Sequence, residues 1–185
     1  MSGSDEHFSL GSARFRKHLG EGDIKIAVRD LADRIRKDYE GQTLVLIGVL
    51  KGAFVFLSDL MRELRMDVEI DFVRLSSAGK NRESPGTTTL LKDISRDIRG
   101  KHVLIVEEII DSGRSLKFLY ERLIQSAPAS LEIVTLLDKA DKRLVDVPVK
   151  YVGRKVEDQF LIGYGLDLEE RARNLREILT LSYPN

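Results

Sequence analysis

The sequence predicts an α/β fold with a central, mostly parallel sheet flanked by helices, and three observations predict it. Helical and strand-like runs alternate along the chain with no internal linker. The run Val103, Leu104, Ile105, Val106 is continuously apolar and mostly β-branched, which is how a strand covered on both faces reads. That run then passes through a short polar loop into an amphipathic helix, the step from which parallel sheets are built.

Taken in order, residues 1–12 show no periodicity and are expected to be flexible. Val28, Leu31, Ala32, Ile35 and Tyr39 share one helical face. A strand is expected around Thr43 to Val49 and a helix through Ala53 to Arg65. Further strands are expected near Val68 to Leu75, Val103 to Val106, Ile133 to Leu137 and Lys150 to Val152, with parallel order and right-handed crossovers as the default. Leu116, Leu119, Tyr120, Leu123 and Ile124 recur at helical spacing, so the loop before them opens a helix. No repeat or low-complexity tract interrupts residues 1–185, which are expected to form one domain. Two segments depart from the alternation: SSAGKNRESPGTT, between Leu75 and Thr89, and the charged C-terminal third. A polar loop of the first kind inside a compact domain is usually a lid or lacks structure.

Composition narrows the class. The 185 residues carry 30 Lys+Arg and 30 Asp+Glu, so no global field recruits nucleic acid or a membrane surface. No apolar run is long enough to span a bilayer, and the start MSGSDEHFSLGS lacks the regions of a signal peptide, so a cytoplasmic location is expected. With no cysteine, disulfides and thiolate metal sites are excluded. His7, His18 and His102 have no ligand spacing and are expected to be surface or packing residues.

The chemistry lies in VLIVEEIIDSGRSL, residues 103–116. Strand–loop–helix turns carrying Asp, Ser and Gly are common because they cap helices and close turns. Two adjacent acids, Glu107 and Glu108, at the C-terminal part of a central strand are poor packing residues, however, and that edge is where ligands bind in open α/β sheets. Ser112, Gly113, Arg114 and Ser115 open a helix whose unpaired N–H groups and partial positive charge suit an anion of phosphate size. Glu107, Glu108 and Asp111 would repel that anion unless sugar hydroxyls and Mg²⁺ intervene, since carboxylates accept from a ribose diol and hold a hard cation. The residues point to a phosphorylated sugar with Mg²⁺.

This segment resembles the phosphoribosyl diphosphate signature of the type I phosphoribosyltransferases, and its two acids, two isoleucines and Asp-Ser-Gly resemble the hypoxanthine-guanine branch. Leu50-Lys51-Gly52, Leu137-Asp138-Lys139 and the run from Phe160 to Asp167 match that branch in order, over residues 24–182. The resemblance implies that family's fold, with a small hood built from the N-terminal segment and residues 155–185. It implies a Mg²⁺-dependent enzyme of purine salvage that takes phosphoribosyl diphosphate and a 6-oxopurine base to IMP or GMP and pyrophosphate. A homodimer or homotetramer is implied as well, with neither nucleic acid nor membrane as a partner.

Residue by residue, Leu50, Lys51 and Gly52 resemble the diphosphate loop, where the family often has a strained or cis peptide before the Lys. Glu107 and Glu108 resemble the diol-binding acids and, with Asp167, the metal ligands. Residues 111–115 resemble the 5-phosphate cradle, and Asp111 the general base. Lys139 can donate to a purine 6-oxo oxygen or N7 and rejects a 6-amino group, itself a donor. Phe160 resembles the aromatic stacked on the base, Leu161 the residue whose backbone meets the base edge, and Arg173 the cation facing pyrophosphate. A lid is implied over residues 76–88, and its usual Ser-Tyr pair falls on Ser77 and Ala78.

The chain departs from the pattern at four places. Ala78 lacks the lid aromatic, Leu168 and Ala172 stand where tyrosines are frequent, and Glu108 replaces the usual Asp. One extra methylene can move a carboxylate by more than ~1 Å, enough to slow catalysis. A same-fold transferase preferring another base such as xanthine, and an RNA-binding regulator that retains the nucleotide site, remain alternatives.

Overall fold

A computed structural model describes residues 8–77 and 88–182. The larger sheet has six strands in the order β5-β4-β3-β6-β7-β8, namely β3 (Leu44–Leu50), β4 (Val68–Ser77), β5 (Thr88–Lys92), β6 (His102–Ile110), β7 (Ser130–Asp138) and β8 (Tyr151–Lys155). All neighbours pair in parallel except β4 and β5, which form an antiparallel edge. Alternate residues of the central strands serve different cores. Leu44, Leu46, Leu104 and Val106 pack under helices α1 (Glu21–Asp38) and α2 (Phe54–Leu64). Val45, Ile47, Val103 and Ile105 pack with Leu116, Leu119 and Leu123 of α3 (Arg114–Ile124) on the opposite face. A strand covered on both faces has no polar side to show, which is why these runs are continuously apolar.

The second sheet is antiparallel, in the order β1-β2-β10-β9. It joins β1 (Phe8–Leu10) and β2 (Ala13–Leu19) to β9 (Leu161–Ile162) and β10 (Ile178–Leu181), so both ends of the chain build it, as expected of the hood. Phe15, Ile162, Ala172 and Leu179 form its own small core. Leu161, Tyr164, Leu166 and Ile178 instead join the core beneath α1 and α2, which ties the hood to the large sheet. The Tyr164 hydroxyl donates to Asp59 Oδ2 at 2.7 Å, adding a polar tie to α2.

Residues 8–12 were expected to be flexible with the rest of the N-terminus. Phe8–Leu10 instead pairs with β2, and the Phe8 and Phe15 rings lie 6.4 Å apart. The hood's own apolar residues supply a partner that the local sequence does not reveal. Helix α1 begins a full two turns before the apolar face that predicts it, at Glu21, with Gly20 N–H donating to Asp23 Oδ2.

Candidate active site

The central strand β6 carries Glu107 and Glu108 near its C-terminal end, and Asp111 follows directly. Glu107 lines a cleft of about 450 Å³, open to solvent, together with Asp111, Ser112, Gly113 and Ser115. Glu108 sits over the loop after β3: a Cβ on Gly52 would overlap its carboxylate, so the glycine leaves room for that side chain where it stands. The peptide Leu50–Lys51 before that glycine is cis, as expected. Burial pushes both glutamate carboxyls above their usual range, and for Glu107 the neighbouring Glu108 charge pushes further.

The cradle is built from backbone. Gly113 is the N-cap of α3 in the left-handed conformation, at φ 78°, and no side chain caps the helix. Arg114 is exposed and leaves its side chain in solvent, while its N–H lies 3.5 Å from Ser112 Oγ. The far wall is the segment after β7. Leu144 N–H donates to Ser112 O at 3.0 Å, and Val145 and Val147 pack against Gly113. That segment is itself clamped by Asp138, a buried carboxylate that takes two bonds from Arg143 (2.9 and 3.3 Å), whose other nitrogen reaches Val147 O. Across the cleft, Ser115 Oγ lies 3.5 Å from Thr88 Oγ1, the first described residue after the expected lid.

Lys139 is not solvated. It is buried at the end of β7, its ammonium 3.2 Å from Asp158 and 3.9 Å from Asp111, while Lys142 binds the same two carboxylates at 2.9 and 3.4 Å. Phe160 is 47% exposed, with its carbonyl held by Thr180 Oγ1 and Leu181 N–H, which leaves the ring face open for stacking. Leu161 is buried within β9 and presents backbone.

The turn after β9 completes the site. Gly163, Tyr164 and Gly165 all have positive φ, and a Cβ on Gly165 would overlap Gly52 O, so the turn lies directly against the loop of Lys51. Arg173 donates to Gly165 O at 2.7 Å and pairs with Asp167 (2.8 Å) and Glu170 (3.1 Å). Glu170 also reaches Lys51 at 3.0 Å.

The structure thus brings Leu50, Lys51, Gly52, Glu107, Glu108, Asp111, residues 112–115, Lys139, Phe160, Leu161, Asp167 and Arg173 to one side of the sheet. Ser77 closes β4 opposite Thr88, and Ala78 lies outside the described residues, as does the lid beyond it. Lys142, Asp158, Glu170, Arg143 and Thr88 were not expected here. Only Lys142, three residues after Lys139, had a local signal. His102 is a packing residue, as expected: its Nδ1 lies 2.8 Å from Ser130 Oγ and its ring meets Tyr39 edge-on.

A hard cation fits this donor set. Glu108 Oε2 and Asp111 Oδ1 are buried with no hydrogen-bond partner among the described residues, an arrangement that costs free energy unless a ligand completes it. No three acidic or His side chains among the described residues converge into a cage. Mg²⁺ usually takes one or two carboxylates, keeps several waters and binds substrate oxygens.

The comparisons with known proteins agree with this construction. Residues 19–169 match the phosphoribosyl transferase domain family, and the chain belongs to it. A hypoxanthine-guanine phosphoribosyltransferase of Staphylococcus aureus is 44% identical over 163 residues, covering 88% of this chain and 91% of that protein. A hypoxanthine phosphoribosyltransferase of Escherichia coli is 44% identical over 159 residues, covering 85% and 89%. A crystal structure of a hypoxanthine-guanine phosphoribosyltransferase from Bacillus anthracis superposes with a TM-score of 0.85 at 44% identity, covering 90% of this chain and 98% of that one.

Proposed function

We propose that this chain transfers the 5-phosphoribosyl group of phosphoribosyl diphosphate to hypoxanthine, guanine or both, giving IMP or GMP and pyrophosphate, as a step of purine salvage. The observation that carries the reading is the buried Lys139, a donor held at the strand end between Asp111 and Asp158, the latter two residues before the exposed Phe160. A fixed ammonium there favours a 6-oxo acceptor over a 6-amino donor, because the mismatched base leaves two donors facing each other.

The cradle at residues 111–115 receives the 5-phosphate through N–H groups of the first turn of α3, where no N-cap side chain intervenes and Arg114 N–H has a long contact of 3.5 Å to Ser112 Oγ for the phosphate to displace. Glu107 and Glu108 accept from the ribose diol, and Lys51 and Arg173 face the diphosphate. A purine ring nitrogen forms the new bond to the anomeric carbon as the bond from that carbon to the diphosphate oxygen breaks, its electron pair leaving with pyrophosphate. Asp111 accepts the proton lost by the purine. Phe160 and the hood exclude water, which would otherwise capture the cationic sugar. Glu107 and Glu108, with Asp167, would hold Mg²⁺, which when bound neutralises charge on the diphosphate. Ser77 and Ala78 belong to the lid in this reading, and the assembly is a homodimer or homotetramer.

The test is to incubate the protein with Mg²⁺, phosphoribosyl diphosphate and, separately, hypoxanthine, guanine, xanthine, adenine and uracil, and to follow nucleotide formation. Product with hypoxanthine or guanine and not with adenine is expected. Product with xanthine alone, or with no base, would overturn the reading.

A further inference from the structure

Glu170 is the one carboxylate of the site that touches both cations of the diphosphate loop region. Its Oε2 lies 3.0 Å from Lys51 Nζ and 3.1 Å from an Arg173 terminal nitrogen. The pair to Lys51 joins segments more than a hundred residues apart in the chain, while the pair to Arg173 lies within one turn. The turn that carries Glu170 is held without help from its side chain: Glu170 N–H donates to Asp167 Oδ2 at 2.8 Å, and Leu168 bridges to Arg171. Glu169, Glu170 and Ala172 adopt positive φ of 52°, 65° and 71°, so the backbone itself aims the carboxylate inward.

Asp167 and Glu170 therefore differ in kind. Asp167 accepts a backbone N–H as well as the guanidinium, and its position is fixed by that turn. The Glu170 side chain is 62% exposed and, among the described residues, its carboxylate is held by two ion pairs, so it can swing away while the turn stays intact. Arg173 Nε, meanwhile, is buried and has no hydrogen-bond partner among the described residues. Glu170 satisfies the charge of these groups but leaves that donor unmet, whereas an anion with several oxygens could take it.

We propose that Glu170 is a built-in counter-ion of the diphosphate subsite, a carboxylate that competes with pyrophosphate for Lys51 and Arg173 and thereby sets how tightly diphosphate groups are held. The proposal rests on the reading that these two cations face the diphosphate. Its consequence is for release. As pyrophosphate departs, Glu170 returns, so two neighbouring cations are never left to hold the product unopposed.

Calorimetric titration of sodium pyrophosphate, with Mg²⁺, into the full-length wild-type protein and into Glu170→Gln tests it. Each exposed pair is worth up to roughly fivefold, so removing the competitor should tighten pyrophosphate by about three- to tenfold. Product inhibition by pyrophosphate should strengthen in the same ratio, with the KM for hypoxanthine unchanged. Glu170→Asp, which keeps the charge with a shorter reach, should fall between the two. Glu170→Asn, suited to a left-handed position, repeats the test if the Gln variant melts early. Equal or weaker pyrophosphate binding by the folded charge-removed variants, in a wild-type background that makes nucleotide, would overturn the counter-ion role alone. A wild-type protein that neither makes nucleotide nor binds pyrophosphate would overturn the functional reading and this proposal together.

Discussion

In the proposed reading the cradle at residues 111–115 would meet an anion with main-chain N–H groups on a helix that no side chain caps, whereas the turn at 163–173 would meet one with side-chain cations already paired to carboxylates. The first subsite is one continuous stretch of chain, and its geometry follows from a strand ending and a helix beginning. The second is assembled from loops that begin at residues 50 and 163, and the glycine at 165 lets its backbone touch Gly52 O. A subsite made of backbone is preorganised and cannot be neutralised from within. One made of flexible side chains must hold its own counter-charges, and its occupancy becomes adjustable.

The comparison is broken most severely at Asp111, which belongs to the local subsite and is the proposed general base. Asp111→Asn should lower kcat for nucleotide formation by about 10²- to 10⁴-fold while phosphoribosyl diphosphate still binds, measured by steady-state rates and by calorimetry. Near-normal turnover would remove it as the base.

The assembled subsite should fail through its backbone. Gly165→Ala places a Cβ against Gly52 O at φ 98°, a conformation alanine resists, and should cost about 2–4 kcal/mol of stability in urea unfolding. A variant of wild-type stability would mean the loops can part freely. Base discrimination tests the contact between the two halves. Lys139→Gln should cut kcat/KM for hypoxanthine by about 10- to 150-fold and narrow the gap to adenine. An unchanged ratio of the two bases would remove Lys139 from the base edge.

The smallest effect is expected at Asp71, which serves neither subsite directly but fastens the strand that returns from residues 78–87. Its buried carboxylate accepts from Phe72, Ser95 and Arg96 N–H and from Lys92. Burial pushes its carboxyl up, but those donors outweigh burial and hold it below its usual range. A depressed folded value means the stabilisation is fully present above the unfolded carboxylate range near pH ~4 and is lost as pH falls through the lower folded value. Asp71→Asn should cost about 1–3 kcal/mol at neutral pH, and its stability should change less than wild type between pH 5 and 2 as denaturant titrations follow it, both intervals being order-of-magnitude expectations. Parallel pH curves for the two proteins would sink this account.

How much was legible follows the same division. The strands expected at 43–49, 68–75, 103–106 and 133–137 lie within or against β3, β4, β6 and β7; in β3, β6 and β7 burial on both faces writes itself into a local apolar run, whereas β4 interleaves its apolar residues with Glu69, Asp71 and Arg74. The helices expected from Val28 to Tyr39, from Ala53 to Arg65 and from Leu116 onward are α1, α2 and α3. Strand β2 was not legible: in ARFRKHL only Phe15 is buried, and its partner β10 is contributed by the other end of the chain. Edge strand β5 has no buried residue to announce it. Lys142 and Asp158 escaped for a related reason, since their ion pairs join the end of one loop to the start of another.

The sequence by itself determined the parallel core, the acids on its central strand and the uncapped helix that follows, because each depends on neighbours a few residues away. Tertiary structure alone decided that Lys139 is buried between two carboxylates, that Glu108 lies on Gly52, and that Glu170 closes Lys51 onto Arg173. Those relations join distant segments whose approach is set by how the hood packs on the large sheet, and no local periodicity encodes such a distance.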